Sequence, residues 1–131
     1  MRLLLDTHAF LWFVSDDPQL SNRARTLIED AANERLLSAA SHWEMAIKVS
    51  LGKLALADPF HVFVPRELDT NGIGLLPIEL RHSMHVATLP FPPNNHRDPF
   101  DRLIVSQGIV DGLTILSADA KFDAYPVTRI W

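Results

Sequence analysis

Met1-Arg2-Leu3-Leu4-Leu5-Asp6-Thr7-His8 is the stretch from which the fold follows. Arg2-Leu3-Leu4-Leu5 is a short apolar run with no helical period, and Asp6-Thr7-His8 ends it. Such a run reads as a strand buried on both faces, with Asp6 at its carboxyl end. A strand of that kind needs helices on either side, so the chain beyond it should alternate strands with helices.

It does. Ala9 to Val14 reads as a short helix closed by the turn-prone Ser15-Asp16-Asp17-Pro18. Ser21 is an N-cap candidate for a helix with Ala24, Leu27, Ile28 and Ala31 on one face. Arg35 to Ser38 is a second strand candidate. Ser41-His42-Trp43-Glu44 opens a helix with Trp43, Ile47 and Leu51 at spacings of four, stopped by Gly52. Val62-Phe63-Val64, between Pro59 and Pro65, is expected to be a short helix. Leu75 to Ile78 is a strand placed short or at an edge by Pro77, which has no N–H to donate. Arg81 to Thr88 reads as a helix, and the proline-rich Leu89 to Arg97 as a loop. Pro99 suits the first position of a helix ending near Gly112. Leu113 to Leu116 and Val127 to Ile130 are the last strands. The expected class is α/β, a three-layer α/β/α arrangement with a central parallel sheet of four to five strands. Residues 1–131 are expected to form one domain.

Composition narrows the chemistry. The 131 residues are 47% hydrophobic and 21% charged, the balance of a chain that buries a core. No apolar run approaches the roughly 20 residues that cross a bilayer, and the early Asp6 interrupts any signal-peptide core. The expectation is a cytoplasmic protein without a membrane partner. There is no cysteine, which excludes thiolate metal sites and cysteine nucleophiles. The net charge of −4 is not that of a generic nucleic-acid binder, unless acids gather as ligands for a cation that reverses the local sign.

Asp6 and Asp119 each follow an apolar strand and should stand at the same rim of the sheet. Glu44, Asp98 and Asp101 lie in the first turns of helices that would face that rim. Two such charges about 4 Å apart at an effective dielectric of about 20 repel by roughly 4 kcal/mol. Several such pairs are tolerable only with protonation or a cation, and an oxygen-only donor set favours Mg²⁺ or Mn²⁺. Each acid also has a plainer reading. Ser41-x-x-Glu44 fits a capping box, and Asp98 and Asp101 suit the N-cap and first turn of a helix. His82 and His85 offer a weaker zinc alternative without a second ligand pair. Trp12, Trp43, Phe10 and Phe13 read as core. A receiver-type signalling domain would need adjacent acids after the first strand and a Lys after the last. The chain has Asp6-Thr7 and no Lys beyond Lys121.

Leu5-Asp6-Thr7-His8, Ser41-x-Trp43-Glu44-x-Ala46-x-Lys48, His96-Arg97-Asp98-Pro99-Phe100-Asp101-Arg102 and Ser117-Ala118-Asp119, in this order and spacing, resemble the PIN-domain family. More closely, they are similar to the VapC-type toxins of prokaryotic toxin–antitoxin pairs. The resemblance implies a PIN-like fold and Mg²⁺- or Mn²⁺-dependent endoribonuclease activity. It places the catalytic acids at Asp6, Glu44, Asp101 and Asp119, with Asp98 as an additional metal ligand or a cap. Lys48, Arg97, Arg102 and Ser117 are the expected substrate contacts, with an i, i+4 pair between Glu44 and Lys48 as the plainer reading of Lys48. The resemblance also implies a homodimer and a cognate antitoxin whose tail covers the acidic pocket. RNA processing or DNA cleavage without a toxin role is the alternative within the same fold.

Overall fold

The computed structural model describes residues 1–131. Its centre is a parallel five-stranded sheet built from β1 (Arg2–Leu5), β2 (Glu34–Ser38), β3 (Gly74–Leu76), β4 (Thr114–Leu116) and β5 (Arg129–Ile130). The order is β3-β2-β1-β4-β5, so the chain steps one way from β1 to β2 and β3, then the other way to β4 and β5. A parallel sheet must be joined by crossovers, and here helices supply them: α1 (Thr7–Val14), α2 (Asn22–Glu29), α3 (Ala39–Ser50), α4 (Phe60–Asn71), α5 (Leu80–Thr88) and α6 (Pro99–Asp111). A short 3-10 helix, Ala120–Ala124, leads from β4 toward β5.

The period of two along β1 divides the core. Leu3 and Leu5 join Phe10, Ala24, Ile28, Met45 and Val64 in one cluster, whereas Leu4 joins Ile104, Val105, Ile115 and Phe122 in the other. Burying all three leucines fully requires a helical layer on each face, which makes the three-layer α/β/α arrangement. No helix is long and apolar enough to cross a membrane.

Three local expectations change. α3 starts at Ala39, with the Ser38 hydroxyl accepting from the Ala40 amide, so Ser41 lies inside the helix and the Ser41–Glu44 capping box does not form. Its buried face carries Ala40, Ser41 and Met45, and Trp43 stands 60% exposed instead of in the core. α4 is longer than Val62 to Val64 and runs through Pro65. The missing N–H would have met the His61 carbonyl, and both residues face solvent, where water can satisfy that oxygen. Gly72, at φ 64°, closes it in the left-handed conformation that suits glycine. β3 is the short edge strand that Pro77 led one to expect, shifted to Gly74–Leu76 so that it ends before the proline.

Candidate active site

In an open parallel sheet, the crevice lies beyond the strand carboxyl ends where the order reverses, here between β1 and β4. A cleft of about 180 Å³ opens there, lined by Asp6, Thr7, His8, Glu44, Lys48, Asp98, Asp101 and Asp119. Five acids from four separate stretches of the chain therefore share one wall-to-wall polar cleft.

Local structure brings each of them to it. Asp6 follows β1 and is the N-cap of α1: its Oδ1 accepts from the Ala9 amide at 2.7 Å, and its Oδ2 accepts from the Ser117 hydroxyl. Asp98 is the N-cap of α6, with Oδ1 accepting from the Asp101 amide at 2.9 Å. Asp119 caps the 3-10 helix through Oδ1 and the Lys121 amide at 2.9 Å. Glu44 is not a cap; Thr7 Oγ1 donates to its Oε1 at 2.7 Å, and Lys48 Nζ stands 3.7 Å from Oε2. Capping and cleft lining thus coexist in three acids, because a cap engages one carboxylate oxygen. On Asp98 and Asp119 the Oδ2 has no protein donor, and on Asp101 the Oδ1 has none.

Confinement has an electrostatic consequence. Burial pushes the Asp6 carboxyl above its ordinary value, against the lowering effect of the Ser117 and Ala9 hydrogen bonds. Asp101 rises to about 6, first through burial and then through the charge of Asp98, with Glu44 adding to the rise and His96 opposing it. No three acidic or imidazole side chains converge closely enough to chelate an ion by themselves. The donor set still fits Mg²⁺ or Mn²⁺, because Mg²⁺ keeps several waters and takes only one or two carboxylates directly. The zinc alternative has no such set: His82 joins Glu79 and Asp111, and His85 joins Ser106.

Of the expected phosphate contacts, Lys48 lines the cleft and Arg97 lies beside it, in a polar pocket of about 390 Å³ with Asp98 and Lys121. Arg102 turns away. It is 4% exposed, donates to the Leu89 and Pro90 carbonyls and to Tyr125 Oη, and is not placed to meet substrate. Ser117 is fully buried, with its hydroxyl donating to Asp6 and accepting from the Asp119 amide, which makes it an anchor for two acids instead of a substrate contact. Sequence reasoning missed Thr7 and His96. Thr7 follows the first acid directly, and His96 opens the run that contains two others, so adjacency was the available signal.

The chain matches the PIN domain over residues 3–127. It belongs to the PIN-domain family. Ribonuclease VapC16 of Mycobacterium tuberculosis is 39% identical over 64 residues, covering 49% of this chain and 45% of that protein. Ribonuclease VapC22 of the same organism is 27% identical over 134 aligned positions, covering 98% of each chain. The structure of VapBC2 from Rickettsia felis bound to a DNA fragment from their promoter superposes with a TM-score of 0.73 at 15% identity, covering 100% of this chain and 99% of that one. The PIN fold accounts for the strand order and for the six helices around it. Order β3-β2-β1-β4-β5 also removes the receiver alternative, whose sheet runs 2-1-3-4-5.

Proposed function

We propose that this PIN domain is a Mg²⁺- or Mn²⁺-dependent endoribonuclease and the toxin of a toxin–antitoxin pair. The observation that carries the reading is the cleft at the β1/β4 reversal, with five carboxylates, two of them held above their ordinary pKa. Similarity to proteins named ribonucleases supports RNA as substrate.

Asp6, Glu44, Asp101 and Asp119, with Asp98, are the residues that would hold the cation. When bound, it supplies Lewis-acid charge at the phosphate and lowers the pKa of a water. Lys48 supplies positive charge at the cleft for a non-bridging phosphate oxygen. Asp98 Oδ2, Asp101 Oδ1 and Asp119 Oδ2 are the oxygens left to bind or to take the proton of the attacking water. Ser117 and Thr7 keep Asp6 and Glu44 in place. A recessed polar cleft in an acidic chain suits an exposed single-stranded segment of RNA.

An apolar cleft of about 580 Å³ adjoins the acidic one and shares His8 and Lys48 with it; Leu11, Trp12, Leu54, Leu56 and Phe63 are among its walls. An antitoxin segment lying in it would reach the carboxylates with a basic side chain. A second copy of the chain would cover Leu80 and Met84, exposed by 80% and 68% at i, i+4 on α5.

The test is cleavage of single-stranded RNA with and without Mg²⁺ or Mn²⁺. Asp6→Asn is expected to slow it by about 10²-fold or more while the variant stays folded. Absence of cleavage with either cation, or wild-type rates in Asp6→Asn, would overturn the reading.

A further inference from the structure

One wall of the cleft is backed by a chain of hydrogen bonds that the cleavage chemistry above does not use. His96 is buried under the loop before α6, with Nε2 3.1 Å from Asp101 Oδ2 and Nδ1 2.8 Å from Tyr125 Oη. Tyr125 is itself buried, and Arg102 Nη1 donates to its hydroxyl at 3.3 Å. Arg102 has no carboxylate partner. Its guanidinium is held by the Leu89 carbonyl at 2.6 Å, the Pro90 carbonyl at 3.2 Å and the face of Phe91, 4.0 Å from the ring centroid.

The shorter contacts define one direction of donation along this chain. Arginine only donates, so Tyr125 Oη accepts from Arg102 and has its own proton left to give. The nearer acceptor for that proton is His96 Nδ1, at 2.8 Å, against 3.4 Å for the His96 carbonyl. Accepting at Nδ1 leaves the imidazole with its proton on Nε2, where it donates to Asp101. Burying a guanidinium without an anion is costly, and a fold that does so needs a return on it. Here the return is a fixed Asp101: Oδ2 is held by His96, Oδ1 has no protein donor, and the residue lines the cleft.

We infer that Arg102, Tyr125 and His96 are positioning residues that fix the Asp101 carboxylate for a divalent cation. Outer hydrogen bonds of this kind orient a ligand, and losing one typically weakens metal binding 10- to 100-fold. The inference rests on the cation-dependent reading proposed above, and it concerns ligand geometry, not the chemistry of cleavage.

Titration calorimetry of Mn²⁺ into the full chain tests it, with long-range ¹H–¹⁵N spectra of the metal-free protein as a readout independent of cleavage. His96→Ala is expected to weaken Mn²⁺ binding by about 10- to 100-fold. His96→Gln, whose amide can still donate to Asp101, is expected to recover most of it. Tyr125→Phe keeps the packing and removes only the hydroxyl, so it guards against a His96→Ala variant that fails to fold. It should weaken binding several-fold and shift the His96 Nδ1 resonance. Wild-type affinity in folded His96→Ala and Tyr125→Phe, or a His96 protonated on Nδ1, would overturn the relay while leaving the cation reading standing. A wild-type protein that binds neither Mn²⁺ nor Mg²⁺ would overturn both.

Discussion

Asp101 ionises near pH 6 because burial and the neighbouring Asp98 disfavour its charge, and this ties stability to pH with a definite sign. Between about pH 4 and 6 the folded carboxyl keeps a proton that the unfolded chain has released, so in that window stability falls as pH rises. The ionised Asp101 carboxylate therefore weighs against folding at neutral pH, and Asp6 is displaced in the same direction. Thermal melts of the metal-free protein should therefore show Tm declining from about pH 4 to 6 and levelling above. Asp101→Asn should flatten that decline and raise Tm at neutral pH while abolishing cleavage. Ser117→Ala acts in the opposite sense. It strips a donor from a buried carboxylate and is expected to cost about 1–3 kcal/mol in denaturant titrations.

At the level of elements, strands and helix starts were legible because they rest on local chemistry. Ser21 caps α2 through the Ala24 amide, Asp98-Pro99 starts α6, and the period-free leucines of β1 are buried on both faces, each as its residue type dictates. The start of α3 was not legible, since Ser38 and Ser41 are equally good caps and only the end of β2 decides between them. That choice leaves Ser41 Oγ buried without a hydrogen-bond partner inside the helix. Ser41→Ala removes the orphan and improves helix propensity, so it should raise stability by about 1 kcal/mol with cleavage unchanged. The extent of α4 was hidden by Pro65, because a proline is tolerated where the carbonyl it orphans is wet, and exposure is a tertiary property.

At the scale of the whole molecule, four of the five acids could be placed at one rim from the sequence because each ends a strand or starts a helix, whereas Glu44, expected in a first turn, reaches the rim from the second turn of α3. The role of Arg102 could not be read there, since its burial depends on a loop folding over it and on Tyr125 arriving from the far end of the chain. The same convergence makes the cleft a load on the fold, one that a bound cation would relieve on the reading proposed above. Mg²⁺ or Mn²⁺ at a hundred times its dissociation constant should stabilise the protein by about 2.7 kcal/mol, read as a rise in Tm that EDTA reverses. In Asp6→Asn the rise should shrink or vanish. If α5 carries the contact between copies, Met84→Glu should convert a dimer to a monomer by light scattering, and an unchanged mass would place that contact elsewhere.

Because Asp6, Asp98 and Asp119 each start a helix with one oxygen, asparagine can take over the architectural half of the task and not the ionic half. The codons for the two residues differ by a single base. Under the function proposed above, a single transition would therefore give a well-formed but inactive copy, one that would still occupy a molecule restraining the active form.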